Sequence, residues 1–553
     1  MRDDSLSWLQ LGLPRSRFFR DMPFFLNGKW TMNSHEIIVP FPPEAPASHW
    51  SGEKSDTLFY ETRFDVPPEF LSRRVFLHFG AVDQIAKITI NGQILGEHTG
   101  GYLPFFFEVS GMLKEKGNLL EVTAVDTLSI DYPYGKQTKN PHGMWYTSVS
   151  GIWKSVWMES VPESYIKDVT FETNRGHVRV YVETDGDGTA EIRCDSKVVK
   201  VNVNEWSPIE IDHPHFWSPE DPFLYPVEIR YHQDCVKSYF AIRDVEILTC
   251  DDGKKHICLN QQPCYLHGLL DQGYFESGIL QPGDPAALEK DILRARELGF
   301  NCLRKHIKIE LDAFYAYCDL HGMLVIQDMV NSGPYHYFQE TILPNLGIKL
   351  HKDKKRQRGE RETFFESHCQ ETQRVLSHHP SIIGYTVFNE GWGQYDTSRI
   401  VCMLRDHDPS RFYISASGWY HGYDTDVESE HVYFRKRVLK PAQAPMMLGE
   451  CGGFPCDCRA SATQKAYGYG KNATKEELMA RITDLYETMV KPSIRNGLNG
   501  CIYTQLTDVE GEINGLYTYD RQQCKVDKAR MLKIAKECQE LFHECVGSCA
   551  EET

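Results

Sequence analysis

The sequence has no uninterrupted apolar run of the length that a membrane-spanning helix needs. Its first residues, MRDDSLSWLQLGLP, also lack the basic start and continuous apolar core of a signal peptide. Basic residues are scarce relative to acidic ones, with 60 Lys and Arg against 77 Asp and Glu and a formal net charge of -17. Nucleic-acid backbones and anionic membranes attract basic surfaces. We therefore expect a cytoplasmic protein that has neither a nucleic acid nor a membrane as its partner.

Regularly spaced cysteine pairs are absent too, although the chain has 17 cysteines. An odd count without the short regular spacing of a disulfide scaffold favours reduced thiols. Cys451, Cys456 and Cys458 lie close enough in ECGGFPCDC to suggest a soft-metal site, but no second Cys/His pair stands at zinc-ribbon spacing. We interpret the three as ordinary loop thiols, and we predict no metal site and no cofactor.

The first part of the sequence contains many short strand patterns. A chain of 553 residues is expected to form two to four domains. Up to about residue 165, runs such as LFYETRFDV and LLEVTAVD are separated by turn signals, among them Asn27-Gly28 and Asn91-Gly92. We predict an antiparallel β-sandwich for residues 1–165. The same texture in a shorter block predicts an immunoglobulin-like β-sandwich for residues 166–247.

Residues 248–553 alternate between strand and helix patterns. The first unit is the strand CYLHG, followed by Asp284-Pro285 as a helix start and by AALEKDILRARELG, whose Leu288, Ile292 and Ala295 share one helical face. Eight strand candidates can be counted in this region, the number that closes a parallel (β/α)8 TIM barrel. The predicted fold class is therefore multidomain, β plus α/β, with two sandwiches before a C-terminal TIM barrel.

Two of the predicted barrel strands end on glutamates. The strand SIIGYTVF is apolar enough to be buried on both faces and runs into Asn389 and Glu390, and PMMLGE ends at Glu450. The active sites of such barrels lie at the C-terminal ends of the strands. A lone glutamate there is often a structural salt-bridge partner, whereas two of them facing one cavity suggest chemistry. Their carboxyls could lie about 5 to 5.5 Å apart, the separation used in retaining glycoside hydrolysis.

These residues and several further motifs resemble glycoside hydrolase family 2 over nearly the whole chain. The motifs are NGKW and SGIWKSVWMESV in the first domain, YLHG and GFNCLRKHIK at the start of the barrel, NEGWG on the fourth strand and LGECGGF on the seventh. The resemblance implies a retaining, exo-acting glycosidase of the β-galactosidase and β-glucuronidase type, and it implies that the sandwich of residues 1–165 is jelly-roll-like and of the sugar-binding type. It also implies that Glu390 is the general acid/base, Glu450 the nucleophile and Asn389 a ligand of the sugar 2-hydroxyl.

Further substrate-binding candidates each have a structural alternative. Tyr433 matches a family tyrosine that hydrogen-bonds the nucleophile, and His431 lies on the same short strand, although both could be packed barrel residues. Arg304 and His306 resemble the family's pocket-lining pair on the second strand, although an ion pair with a neighbouring strand would also explain them. The remaining candidates are Asp271 after the first strand, Trp392 and Trp419 on mouth loops that could stack on a pyranose, and Tyr503 and Gln505 at the end of the eighth strand.

Departures from the family motifs limit the substrate. Where the family's glucuronidases carry an Asn-x-Lys pair for the sugar carboxylate, GEINGLYTYDR has Glu512 and Asn514, so we expect a uronate to be repelled. The run LLDQG replaces the Asn-Arg/Lys-His-Glu run that usually follows the first strand. The third strand ends IQDMVNS and lacks the Glu-x-His spacing that the family's galactosidases use for magnesium.

We predict a retaining exo-β-glycosidase for neutral, non-reducing terminal sugars, with a β-galactoside as the leading substrate. An α-L-arabinofuranoside or a β-mannoside is the alternative within the family, and a β-glucuronide is less favoured. The alternative from another class is a carbohydrate-binding protein that kept the scaffold but lost turnover. The predicted partner is the carbohydrate substrate, and family analogy allows a homo-oligomer.

Overall fold

The computed structural model describes residues 4–194, 197–345, 348, 353, 358–433, 436–457, 467–468 and 474–549. Within those ranges, no helix combines the length and the apolar composition needed to span a bilayer. Of the three thiols that were weighed as a metal site, Cys458 lies outside the described residues, whereas Cys451 and Cys456 are buried.

The first domain is an antiparallel β-sandwich. Along Asn118–Val125, buried and half-buried residues alternate, so every second side chain enters the core between the sheets. Asn91 and Gly92 form the predicted two-residue hairpin loop, with φ of 49° and 80°. The strands are β1 (Phe24–Phe25), β2 (Gly28–Met32), β3 (His35–Val39), β4 (Thr57–Phe64), β5 (Arg74–Phe79), β6 (Val82–Asp83), β7 (Ile85–Ile90), β8 (Gln93–Thr99), β9 (Phe105–Glu108), β10 (Asn118–Val125), β11 (Gln137–Thr138), β12 (Tyr146–Thr147), β13 (Gly151–Ile152) and β14 (Val156–Val161).

The two main sheets of this sandwich have the strand orders β3-β2-β4-β10-β7-β8 and β1-β14-β5-β9. Two short pairs, β6 with β13 and β11 with β12, complete it. The β11–β12 pair belongs to the long connection between β10 and β13, which extends away from the sheets toward the barrel.

The second domain is a smaller sandwich with strand orders β15-β16-β19 and β18-β17-β20-β21. Its core includes the fully buried Val180, Ile192 and Ile229. A small sheet, β22-β23-β24, connects it to the barrel. The strands are β15 (Ile166–Asn174), β16 (His177–Thr184), β17 (Thr189–Cys194), β18 (Lys197–Asn202), β19 (Trp206–Ile209), β20 (Tyr225–Tyr231), β21 (Asp234–Phe240), β22 (Val245–Thr249), β23 (Lys255–Leu259) and β24 (Gln262–Pro263).

The segment that precedes β1 does not join the first sandwich. It contains a 3-10 helix, Asp4–Leu11, whose Trp8 and Leu9 are buried in one cluster with barrel residues such as Leu266 and Ile326. Phe19 then forms a β-bridge with Lys237 of the second sandwich. The N-terminal residues thus connect the second sandwich to the barrel.

The third domain is the predicted closed barrel of eight parallel strands. The fold class read from the sequence is confirmed. Apolar side chains such as Leu324, Ile383 and Ile502 fill the barrel interior, which makes it a packed core rather than a pore. The strands are β25 (Leu266–Asp271), β26 (Cys302–Lys305), β27 (Leu324–Asp328), β28 (Ile382–Asn389), β29 (Phe412–Ser417), β30 (Glu428–Val432), β31 (Met446–Gly452) and β32 (Leu498–Thr504).

Helices surround the barrel, and their apolar faces pack on the outer side of the strands. The predicted first helix is present, with Leu288, Ile292 and Ala295 buried. Short 3-10 segments lie at Pro46–Ser48 and Pro68–Leu71, and π-helical turns at Phe338–Ile342 and Tyr486–Val490. The α-helices are α1 (Ala286–Glu297), α2 (Asp312–His321), α3 (Leu343–Asn345), α4 (Glu360–Leu376), α5 (Thr397–His407), α6 (Lys475–Leu485), α7 (Lys491–Ile494) and α8 (Lys528–Val546).

One pair of cysteines contradicts the expectation of reduced thiols throughout. Cys250 and Cys549 form a disulfide across a sequence separation of 299 residues. The two residues also form an antiparallel β-bridge, which brings the end of the chain back to the β22–β23 hairpin. A pairing set by the meeting of two distant segments leaves no spacing signal in the sequence.

Candidate active site

The two strand-end glutamates meet at one point of the barrel mouth. Glu390 directly follows β28, Glu450 lies near the end of β31, and both are buried. A carboxylate oxygen of Glu390, one of Glu450 and a ring nitrogen of His431 all lie within 4.8 Å of one another. The structure therefore brings together the pair that the strand pattern placed on opposite sides of one cavity.

The backbone turns sharply where β28 ends. Glu390 has a left-handed φ of 52°, and its amide donates to the carbonyl of Ser417 on β29 at 2.8 Å. The next residue, Gly391, has a φ of 77°, and a Cβ there would overlap the ring of Tyr420. The turn directs the Glu390 side chain into the mouth instead of continuing the strand, and it requires glycine at position 391.

Glu450 is surrounded by hydrogen-bond donors and by groups that can carry positive charge. Tyr433 donates its hydroxyl to Oε2, and Arg304 Nη1 donates to Oε1 at 3.2 Å. His431 Nε2 and His306 Nε2 lie 3.6 and 3.9 Å from the same Oε1. Burial raises the pKa of this carboxyl, but the influence of the neighbouring His431, His306 and Arg304 outweighs burial and holds its pKa well below the ordinary value. The ionised form of Glu450 is favoured.

His431 also contacts Glu390, through its other ring nitrogen. His431 Nδ1 lies 2.8 Å from Glu390 Oε1, and the Nε2 atom of the same ring lies 2.8 Å from the Ser417 hydroxyl. Trp419 packs edge-on against the His431 ring, with ring centroids 5.8 Å apart. The imidazole is thus held between β29 and β31 and contacts the Glu390 carboxyl directly.

Arg304 joins the groups of the mouth into one network. Its Nε donates to Asp328 Oδ1 at 3.0 Å, its Nη2 donates to Asn389 Oδ1 at 2.8 Å, and its Nη1 donates to Glu450 and to the Gly449 carbonyl. Arg304 is 1% exposed. Burial lowers its pKa, but Asp328 and Glu450 raise it above the ordinary value, so the cation persists. Because Arg304 occupies the Asn389 oxygen, the amide nitrogen of Asn389 is left to donate to a ligand.

Asp328 at the end of β27 is a site residue that the sequence reading missed. Besides Arg304, it binds His306 Nδ1 through Oδ2 at 2.7 Å. Among the described residues, the other ring nitrogen, Nε2 of His306, has no hydrogen-bond partner. Burial and the positive charge of Lys136 lower the pKa of His306 far below its ordinary value, so this ring is neutral. A strand-end Asp in IQD was the available signal. Asp328 supplies the ion pair with a neighbouring strand that was the alternative explanation for Arg304 and His306.

Other predicted residues lie away from this network. Asp271 accepts from Lys305 at 2.6 Å and from the Gly273 amide at 2.9 Å, so both of its oxygens are engaged in holding the loop after β25. Tyr503 points outward into the cluster between strands and helices, because the neighbouring Ile502 points into the barrel. The prediction that Tyr503 lines the pocket is wrong. Gln505 binds Asn514 Oδ1 at 2.8 Å.

Trp392 lies in an aromatic cluster between the first sandwich and the barrel. It is 2% exposed, its Nε1 donates to the Gly333 carbonyl at 2.9 Å, and it packs edge-on against Tyr134, Trp145 and Tyr335. With both ring faces covered by packing, Trp392 has a structural role here and does not offer a free surface to a sugar.

A second group of polar residues lies beside Glu450, and one of its members, Tyr146, belongs to the first sandwich. Tyr146 of β12 donates its hydroxyl to Glu512 Oε2, and Asn514 Nδ2 donates to Glu512 Oε1 at 2.9 Å. Burial raises the pKa of Glu512, and Lys136 opposes that rise, leaving the pKa of Glu512 above its ordinary value. The residues at the two motif positions, Glu512 and Asn514, therefore bind each other and a tyrosine from another domain.

Three sets of described residues have the ligand types and spacing for a metal ion, and the set that lies in the mouth consists of Glu390, His431 and Glu450. The permanent cation of Arg304 already binds Glu450, which disfavours a second cation at the same oxygen.

Family models match all three domains of this chain. The first, described as a glycosyl hydrolase 2 galactose-binding domain-like model, matches residues 44–158. Glycosyl hydrolases family 2 matches residues 165–243, and its TIM barrel domain matches residues 252–437. The chain belongs to glycoside hydrolase family 2.

Individual members of family 2 are similar to this chain at low identity. A β-galactosidase from Thermoanaerobacter pseudethanolicus is 28% identical over 303 residues, which are 49% of this chain and 39% of that protein. A β-glucuronidase from Bacteroides fragilis is 26% identical over 403 residues, 65% of this chain and 54% of that protein. The matches thus span roughly half of these relatives. The solved β-D-glucuronidase of Dictyoglomus thermophilum superposes with a TM-score of 0.73 at 19% identity, covering 96% of this chain and 98% of that one.

Proposed function

We propose that the protein is a retaining exo-β-glycosidase that hydrolyses terminal sugars in two displacement steps. The observation that carries this proposal is the approach of Glu390 and Glu450, whose nearest oxygens lie within 4.8 Å. A short carboxyl separation suits direct attack by one carboxylate, whereas an inverting enzyme needs a longer one, about 6.5 to 9.5 Å, to accommodate a water molecule.

In the first step, Glu450 attacks the anomeric carbon, and the bond from that carbon to the leaving oxygen breaks. The surroundings of Glu450 favour its ionised form, as a nucleophile requires. Glu390 gives its proton to the leaving oxygen, so the alcohol departs neutral and the sugar remains as an ester of Glu450. In the second step, the Glu390 carboxylate takes a proton from water, the hydroxide attacks the anomeric carbon, and the ester bond breaks.

Three neighbouring side chains would assist these steps. Tyr433 and Arg304 hold the Glu450 carboxylate in place through separate oxygens. The Asn389 amide, oriented by Arg304, supplies a donor for the sugar 2-hydroxyl, a contact that strengthens as charge develops on the ring. His431, hydrogen-bonded to Glu390, would steady the group that alternates between acid and base.

The sugar is a separate question from the reaction. A β-galactoside was the leading prediction, and the relatives include one β-galactosidase beside several β-glucuronidases. These names give the β-galactoside no advantage, so the proposal covers β-glycosides as a class.

A panel of aryl β-galactosides, β-glucuronides, β-glucosides, β-mannosides and an α-L-arabinofuranoside tests the proposal, with Glu450→Gln as the nucleophile control. We expect the wild type to hydrolyse at least one of them and the variant to lose several orders of magnitude in kcat. A folded wild type that hydrolyses none, but binds one of the sugars, would support the carbohydrate-binding alternative instead.

A further inference from the structure

A loop of the first sandwich places a lysine at the barrel mouth. Lys136 precedes β11, and its carbonyl accepts from the amide of Tyr146, the residue whose hydroxyl binds Glu512. The adjacent Gly135, with a φ of 66°, lies so close to the Ile307 carbonyl that a Cβ would touch it. Ile307 directly follows His306, so the loop is packed on the strand end that carries a site residue.

The loop is also fixed to the other side of the mouth. The amide of Tyr134 donates to the Asn331 carbonyl at 3.1 Å, and its hydroxyl donates to the Gly333 carbonyl at 3.1 Å. Both carbonyls follow β27, the strand that ends at Asp328. Lys136 is thus held between two attachments to the barrel, which makes its position well defined.

Unlike its neighbours, Lys136 has no partner for its charge among the residues that the structure describes. Its side chain is half-buried, and in the part of the chain that the structure describes it forms no hydrogen bond or ion pair. By contrast, Lys139 pairs with Asp56 at 2.8 Å, Lys305 pairs with Asp271, and Lys308 pairs with Glu310. The nearby Glu512 forms no ion pair with Lys136 among the described residues, and its two oxygens accept hydrogen bonds from Tyr146 and Asn514.

The positive charge of Lys136 affects the pKa values of groups at the candidate active site. It lowers the pKa of His306, of Glu512 and of Glu450. The Lys136 loop packs on the strand end that carries His306, whose Nε2 lies 3.9 Å from Glu450 Oε1. A sugar whose anomeric carbon lies at Glu450 would therefore direct some of its remaining substituents toward this loop. Holding a half-buried ammonium without a counter-ion is unfavourable, and a bound anion would relieve that cost.

We infer that Lys136 binds an anionic substituent of the substrate sugar, so that the first sandwich selects acidic sugars, with a carboxylate as the substituent. This inference rests on the proposed glycosidase function and identifies its substrate class. It opposes the expectation that a uronate is repelled. That expectation rested on Glu512 alone and did not include Lys136, which comes from another domain. Neutral sugars would leave the Lys136 charge uncompensated and would be poorer substrates.

The test compares Lys136→Gln and Lys136→Arg with wild type on pairs of substrates that differ only at C6. These are 4-nitrophenyl β-D-glucuronide against the β-D-glucoside, and the β-D-galacturonide against the β-D-galactoside. For the better uronide, we expect Lys136→Gln to lower kcat/KM by about 100-fold, the loss typical of truncating one partner of a charge pair, with neutral substrates changed less than about threefold. Lys136→Arg should retain part of the preference. Lys139→Gln, in the same connection but paired with Asp56 at the surface, is the matched control and should behave as wild type.

A wild type that prefers the neutral member of each pair would overturn the inference, as would an equal loss on both members in Lys136→Gln. Failure of the glycosidase proposal is recognised separately, because all substrates would then be inert. In that case, calorimetric titration of Glu450→Gln with free glucuronate, galacturonate, glucose and galactose decides the inference. Uronate binding that Lys136→Gln abolishes supports it, and the absence of uronate binding by the folded protein contradicts it.

Discussion

His431 Nδ1 lies 2.8 Å from Oε1 of Glu390, which gives the proposed acid/base a buried imidazole as its hydrogen-bond partner. Since His431 acts on Glu390 rather than on the substrate, it is a positioning residue. We expect His431→Asn to lower kcat/KM by about 100-fold for an aryl glycoside with a poor leaving group. The loss should be much smaller for a 2,4-dinitrophenyl glycoside, because its dinitrophenolate leaving group departs without needing a proton.

The matched control for His431→Asn is His407→Asn, because His407 is an exposed residue on α5. An equal loss for good and poor leaving groups would mean that His431 supports the fold of the mouth and not the protonation of the leaving group.

In Glu390→Ala, the loss of kcat/KM should depend on the leaving group even more strongly than in His431→Asn. Without the proton donor, kcat/KM for a poor leaving group should fall about 10²- to 10⁴-fold, because general acid catalysis typically contributes that much. Added azide should restore turnover of the dinitrophenyl substrate, since it replaces the activated water in the second step. Lack of azide rescue, with no glycosyl azide product, would count against the role assigned to Glu390.

Tyr433→Phe tests whether the Tyr433 hydrogen bond helps to keep Glu450 ionised. The folded-state pKa of Glu450 is depressed, so the carboxylate persists down to low pH and is lost only as pH falls through that pKa. Removing the Tyr433 hydrogen bond should raise this pKa, and the acidic limb of the kcat/KM profile should move up by about one pH unit. A pH profile measured with wild type in parallel checks this. An unchanged acidic limb would separate Tyr433 from the ionisation of Glu450.

Trp392→Phe distinguishes packing from sugar stacking. The variant loses the hydrogen bond from Nε1 to Gly333, which should lower the free energy of unfolding by about 1 kcal/mol and reduce Tm. KM should not change, because the ring is covered by other aromatics. Trp206→Phe, on the second sandwich, is the control for a generic tryptophan effect. A raised KM at unchanged Tm would restore the stacking interpretation.

Much of the fold could be predicted because its signals are local. Period-two burial in Asn118–Val125 indicates a sandwich strand, and the Asn91-Gly92 pair indicates a hairpin. In the barrel, each buried strand is separated from the next by a helical pattern or a turn, so the number of strands could be counted. The Cys250–Cys549 disulfide and the docking of Trp8 on the barrel depend on contacts between distant segments, and nothing local predicts them.

The candidate site divides in the same way. Glu390, Glu450 and Arg304 stand at strand ends, where barrel topology alone makes them neighbours. The outward direction of Tyr503 could have been predicted from strand alternation, since Ile502 is an inward residue. Lys136 could not have been found, because the position of its loop at the mouth depends on how the first sandwich docks on the barrel.

The stereochemistry of the first-formed product is the most direct test of the central claim that Glu450 attacks the sugar. Proton NMR should follow hydrolysis of whichever aryl β-glycoside the wild type cleaves, at early times before mutarotation. Two inversions through a Glu450 ester predict that the β-anomer appears first. Initial appearance of the α-anomer would contradict the account, because it would require a single direct displacement by water.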